Sequence, residues 1–214
     1  MPMKLYMFEH CSLCFRVRMT AALKGLALEE KVVLDDDTDT LVSLVGRRVI
    51  PILVKDDGTA MLESMDMVAY LDAMEDPVLT GHERREISAI EARLLQTMPR
   101  LTMPRYPLLD LPEFATVAAR DHFTARKRKT FGDFAELRDR TREFLDGLIP
   151  VLNDLDPLIE NPRAINGRLS RDDVRILPLL RSAATVRGLE FPQHVRDYYE
   201  TMMKRTGFEP LPVI

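Results

Sequence analysis

Strand-like sequence is confined to the first third of this chain. "KLYMF" (Lys4 to Phe8), "LEEKVVL" (Leu28 to Leu34), "VIPILV" (Val49 to Val54) and "AMLE" (Ala60 to Glu63) are short apolar runs bounded by turn signals, the last two separated by "DDG" (Asp56 to Gly58) as in a hairpin. Between the first two, Leu13 to Lys24 carries Leu13, Val17 and Ala21 at four-residue spacing on one face, with Arg16, Arg18 and Lys24 left for water and Gly25 as a stop. A further helix is expected over Ser64 to Met74 with Ser64 as its N-cap. The order β-α-β, then β-β-α, predicts a small α/β domain over residues 1–75 whose first helix crosses between parallel strands.

After a linker over 76–84 no strand signal returns, and 85–214 reads as an all-helical second domain. Helices are expected over about His82–Met98, Pro112–Lys129, Asp133–Ile159, Ser170–Arg187 and Pro192–Arg205, with Pro150 kinking the third. In "LSRDDV" (Leu169 to Val174), Ser170 and Asp173 have the spacing of a reciprocal cap, flanked by a Leu169–Val174 staple; its chemistry is structural. The acidic run from Asp35 to Asp39 reads as solvated surface leading into a short helical or irregular segment.

With 46% hydrophobic and 30% charged residues and a net charge of -4, the composition is that of an ordinary globular protein without the basic excess that draws a chain to nucleic acid. No apolar run reaches the roughly 18 to 20 residues of a membrane span, and no secretory signal is evident, so no membrane partner and a reducing cytoplasmic location are expected. In that setting a close cysteine pair points to catalysis or metal binding rather than a structural disulfide.

Such a pair exists. The only cysteines in the 214 residues are Cys11 and Cys14, in "HCSLC", between the first strand and the first helix. Zinc needs about four ligands, and no second paired motif supplies them; attached haem needs His after the second cysteine, where Phe15 stands. Two small core residues would satisfy packing alone. Against that, a C-x-x-C at a strand–helix junction sets its first sulfur beside unpaired N–H groups and the positive end of the helix dipole, which favours thiolate. Cys11 is therefore expected to be the nucleophile. Cys14, one turn in and deeper, is expected to be the less ionised, resolving thiol.

"KLYMFEHCSLCFRVRM" (Lys4 to Met19), "VIPILVKDDGTAMLESMDMVAYLD" (Val49 to Asp72) and "INGRLSRDDVRILPLLRSA" (Ile165 to Ala183) together resemble the glutaredoxin 2 family, bacterial glutaredoxins built like glutathione transferases. The resemblance implies a thioredoxin-like N-terminal domain, an all-α glutathione-transferase-like C-terminal domain, and reduction of disulfides and glutathione mixed disulfides with glutathione as reducing co-substrate and no metal. Disulfide-bonded or glutathionylated proteins would be its partners. By position it makes Cys11 the nucleophile and Cys14 the resolving thiol. It sets Pro51 as a cis-proline facing them, Ile50 as a backbone partner of the cysteinyl part of glutathione, and Glu63 with Ser64 as holders of its γ-glutamyl end.

Pro51 read alone is equally a trans proline, and Ser64 equally a plain cap; the expectation here is a cis bond at Pro51 and a double role for Ser64. His10 matches the family pattern but reads equally as a solvated turn residue and is left out of the catalytic set, and Arg16 and Arg18 are second-tier contributors to the local potential. The chain departs from the family's usual C-P-Y-C, with Ser12 for proline and Leu13 for tyrosine, which bears on redox potential and dithiol efficiency. A glutathione transferase or dehydroascorbate reductase on the same scaffold, and an iron–sulfur carrier with Cys11 as cluster ligand, are the competing functions.

Overall fold

The structure, a computed structural model, describes residues 2–214. Four strands, β1 (Lys4–Met7), β2 (Glu29–Val32), β3 (Ile52–Val54) and β4 (Ala60–Met61), form one sheet in the order β2-β1-β3-β4. β1 runs parallel to β2 and antiparallel to β3, with Leu5 opposite Glu30 on one side and Leu53 on the other. The strand period of two puts Leu5 and Met7 in the core and leaves Lys4 and Tyr6 half-buried. Leu5, Met7 and Leu53 pack under α1 (Ser12–Lys24) and α3 (Ser64–Asp72) through Val17, Ala21, Met67 and Leu71. Ile52 and Val33 meet Leu41 of α2 (Thr38–Val45) on the opposite side.

α1 ends where Gly25 takes a left-handed conformation, φ 67°, and its N–H returns to Ala21 and Ala22, the C-terminal closure that glycine permits without a Cβ clash. Ser64 is not the cap of α3: Glu63 holds the N-cap position, makes no side-chain cap bond, and Ser64 is the first helical residue.

The helical domain comprises α4 (Arg85–Thr97), the short α5 (Pro99–Thr102), α6 (Val117–Phe131), α7 (Phe134–Asp139), α8 (Thr141–Leu155), α9 (Arg171–Ala183) and α10 (Gln193–Thr206). The third expected helix breaks at Arg140, between α7 and α8, and continues through Pro150. Thr141 Oγ1 donates back to the Arg138 carbonyl and accepts from Arg105, so a side chain replaces the regular backbone pattern there. The reciprocal cap at Ser170 and Asp173 is present and buried, and Asp173 also accepts from the Ile165 N–H and the Tyr198 hydroxyl, tying α9, α10 and the preceding loop together.

Phe15, Met19 and Val68 of the sheet domain share one apolar cluster with Ile87, Leu94, Leu177 and Leu180 of the helical domain. α1 is therefore covered on two sides, and this overturns the wet face expected for it. Arg16 is 8% exposed and Arg18 7%, whereas Leu13, expected inside, is 40% exposed. Each buried guanidinium is neutralised: Arg16 by Glu91 at 2.6 Å, Arg18 by Glu9 and Glu30, both at 2.8 Å. Asp35 likewise leaves the expected solvated run. It is 1% exposed and bonds Arg48, His122 and Arg126, so it holds α6 against the sheet domain.

Candidate active site

The turn between β1 and α1 delivers Cys11 to the N-cap of α1, where its backbone is extended, φ -74° and ψ 116°. Its sulfur accepts the Cys14 N–H at 3.4 Å. Both cysteines are free thiols; Cys11 is partly exposed and Cys14 fully buried beneath it. The Cys11 pKa is lowered from 9.0 to about 6. The Cys14 thiol's hydrogen bond to the thiolate contributes most, His10 and the N–H groups of Cys14 and Leu13 add to it, and burial opposes it. Cys14 moves the other way, well above its ordinary value, because burial disfavours its charge and its proton is held by Cys11. The two thiols thus differ in acidity and in access in the same sense.

Ile50 packs against the same apolar clusters as Cys11, and the Ile50–Pro51 bond is cis. Pro51 is buried at the entry to β3. Glu63 is exposed at the end of the β4 connection, and Ser64, 8% exposed, begins α3, which packs on α1. With no side chain capping α3, its first N–H groups are free of the helix and suit a carboxylate. Among the described residues no group of three or more His, Cys, Asp or Glu side chains is placed to hold a metal ion.

The sequence reading set one site residue aside and missed another. His10 is not solvated: it is 8% exposed, with ring Nδ1 2.6 Å from Glu113 Oε1, and Glu113 is fully buried in the 3-10 turn Pro112–Phe114 of the helical domain. The immediate neighbour of Cys11 was a signal for His10. Nothing local marks Glu113, 103 residues away. Tyr106 and Lys127 of the helical domain also feel the Cys11 charge, as does Arg16.

A small cavity of about 60 Å³ lies beside Ser12 and is lined from the helical domain by Leu94, Leu95, Met98, Thr102 and Tyr106. A larger hollow of about 940 Å³, bordered by Arg163, Arg168 and Arg205, contains none of the expected site residues. No helix among the described residues is long and apolar enough to cross a membrane.

Residues 86–212 match the model for "Glutaredoxin 2, C terminal domain" and residues 10–74 that for "Glutathione S-transferase, N-terminal domain". Glutaredoxin 2 of Escherichia coli K12 is 40% identical over 209 residues, covering 95% of each chain. The crystal structure of glutaredoxin 2 from Salmonella typhimurium in complex with glutathione superposes with a TM-score of 0.94 at 36% identity, over 98% of this chain and 96% of the other. A glutathione transferase from Phanerochaete chrysosporium shares the fold alone, with a TM-score of 0.71 at 16% identity over 98% of this chain and 100% of that one. A strand-to-helix dithiol at the seam of a thioredoxin-like and an all-α domain, matched over nearly the whole length at this identity, means that the chain belongs to the glutaredoxin 2 family.

Proposed function

We propose that this glutathione-dependent thiol-disulfide oxidoreductase reduces glutathione mixed disulfides and protein disulfides through the Cys11 thiolate, with Cys14 as resolving thiol. The observation that carries the reading is the acidity of a partly exposed Cys11 set over a buried, protonated Cys14. With a pKa near 6, Cys11 is mostly thiolate at neutral pH, close to the optimum for attack on a disulfide. Attack on a glutathionylated protein forms a Cys11–glutathione disulfide and expels the protein thiolate, which takes a proton from water. A second glutathione thiolate then attacks the glutathione sulfur, releasing oxidised glutathione and restoring Cys11.

With a protein disulfide the first product is a Cys11–protein disulfide. Cys14, losing its proton, attacks Cys11, releases the substrate as a dithiol and leaves a Cys11–Cys14 disulfide for two glutathiones to reduce. Glutathione would lie with its cysteinyl backbone against Ile50, beside the cis Pro51, and its γ-glutamyl end at Glu63, Ser64 and the free N–H groups of α3. The compartment proposed is the reducing cytoplasm.

Glutathione-dependent reduction of a small mixed disulfide, assayed beside conjugation to an electrophilic aromatic substrate, tests the reading. Conjugation without reduction would make the protein a transferase, and visible absorption bands in the purified protein would point to cluster carriage. Reduction that persists in Cys11→Ser would remove the proposed chemistry altogether.

A further inference from the structure

The carboxylate of Glu113 is bound to the residue next to the reactive thiol by two hydrogen bonds on one oxygen. The His10 backbone N–H donates to Glu113 Oε1 at 2.9 Å, and ring Nδ1 lies 2.6 Å from the same atom. An ionised carboxylate oxygen carries no proton and can only accept, so Nδ1 is the donor and the ring orientation is fixed. Burial would raise the Glu113 pKa, yet His10 holds it below the ordinary value, so the carboxylate is ionised at neutral pH. Phe8, Tyr106, Phe114 and Phe123 surround the imidazole with centroids 5.7, 4.6, 5.2 and 5.4 Å away. The turn that carries Glu113 is itself anchored, its carbonyl accepting the Asp35 N–H at 3.0 Å.

We propose that Glu113 of the helical domain is a positioning residue for the Cys11 thiol, acting through His10. Its carboxylate fixes the imidazole in one tautomer and one orientation, and His10, adjacent to Cys11 in the chain, stabilises the thiolate through space. The helical domain thereby takes part in setting the reactivity of a thiol that belongs entirely to the sheet domain. The inference rests on Cys11 being the reactive thiol.

Other charges reach the same place. Cys11 is faced by Cys14 and Arg16 of α1, by Tyr106, and by Lys127 of α6. On the far side of the Glu113 turn, Asp35 gathers Arg48, His122 and Arg126. A shift in Cys11 acidity is therefore assigned to the Glu113–His10 route only by a double-mutant cycle.

Full-length wild type, Glu113→Gln, His10→Asn and the double variant are alkylated with iodoacetamide across a pH series, with Cys11 modification followed by mass spectrometry. Glutamine keeps an acceptor without the charge, and asparagine keeps a donor without the ring. Glu113→Gln is expected to raise the Cys11 midpoint by about half to one pH unit, roughly three- to tenfold less thiolate below the midpoint. In the His10→Asn background the same change should add little. An unchanged Glu113→Gln midpoint with a lowered melting temperature would reduce Glu113 to a clamp between domains. An equal shift in both backgrounds would assign the effect to a route other than His10. If Glu113→Gln does not fold, His10→Asn alone decides: a wild-type midpoint there overturns the inference. A wild-type protein whose Cys14 alkylates at lower pH than Cys11 would instead refute the assignment of the thiols, a separate failure read from the wild type alone.

Discussion

Replacing Cys14 by alanine should make Cys11 a weaker acid, although Cys14 never meets solvent. The Cys14 thiol's hydrogen bond is the largest influence holding Cys11 near pH 6, ahead of His10 and of the N–H groups of Cys14 and Leu13. A hydrogen bond to an ionised acceptor contributes about 1.5 to 3 kcal/mol, and about 1.4 kcal/mol corresponds to one pH unit. Cys14→Ala therefore is expected to raise the Cys11 midpoint by roughly one to two units. At pH 7 the thiolate would fall from roughly nine-tenths of molecules to about half or less. Cys14→Ser retains a hydroxyl donor at the same place and should shift less than alanine. Alkylation rate against pH measures this cleanly, because each variant has a single thiol. Since folding lowers the Cys11 pKa, ionised Cys11 stabilises the reduced fold. That contribution is complete above the unfolded thiol's 9.0 and is lost as pH falls through about 6, and Cys14→Ala should narrow this window from the acid side. An alanine variant with the wild-type midpoint, or serine and alanine variants with the same shift, would refute the role given to the Cys14 thiol.

Ser64→Ala is expected to weaken glutathione binding by about 1 kcal/mol with no change in melting temperature, since Ser64 caps nothing; calorimetry and thermal melting read the two separately. Glu9→Ala removes the carboxylate shared by Arg18 at 2.8 Å and Arg181 at 2.5 Å, and should destabilise the fold by about 3 kcal/mol in denaturant titration, because Arg181 keeps only backbone carbonyls. Asp173→Ala leaves the Ile165 and Ser170 N–H groups and the Tyr198 hydroxyl without their acceptor, and a loss of at least about 3 kcal/mol is expected by the same measurement. Raising salt from about 0.05 to 0.5 M should leave the Cys11 midpoint nearly fixed, since buried charges are screened far less than exposed ones; a rise approaching one unit would show that exposed cations set it.

The sheet was legible because β1 and β3 are apolar runs of the right length with turn signals on both sides, and the thiol pair because C-x-x-C at a strand–helix junction has few structural uses. What the sequence concealed depends on contacts between distant segments. Leu13, Val17 and Ala21 have an amphipathic spacing, but α1 is buried on two sides, so periodicity assigned Arg16 and Arg18 to water when each has a carboxylate partner in the seam. Asp35 stood in an acidic run, and its three cationic partners come from Arg48 and from α6, far along the chain. Pro150 was the visible helix breaker, yet the break came at Arg140, where Thr141 is held by Arg105 from another segment. Ser64 has the cap residue's chemistry one position too late, because Glu63 is still extended, φ -98° and ψ 118°.

The buried cations also limit what can make Cys11 acidic. Arg18 is bonded to Glu9 and Glu30, and Arg16 to Glu91, so each brings a compensating charge that offsets part of its potential at the thiols. The leading influences on Cys11 are instead short-range: the Cys14 thiol, His10, and the N–H groups at the head of α1. This bears on the two departures from C-P-Y-C. Ser12 and Leu13 precede Cys14, and the groups that stabilise the thiolate are the Cys14 thiol and the N–H groups of residues 13 and 14, which the backbone supplies whatever side chains stand at 12 and 13. Leu13 turns 40% of its surface outward and Ser12 lines the small cavity at the seam. The leading hydrogen bonds to the Cys11 thiolate are therefore kept whichever side chains stand at positions 12 and 13.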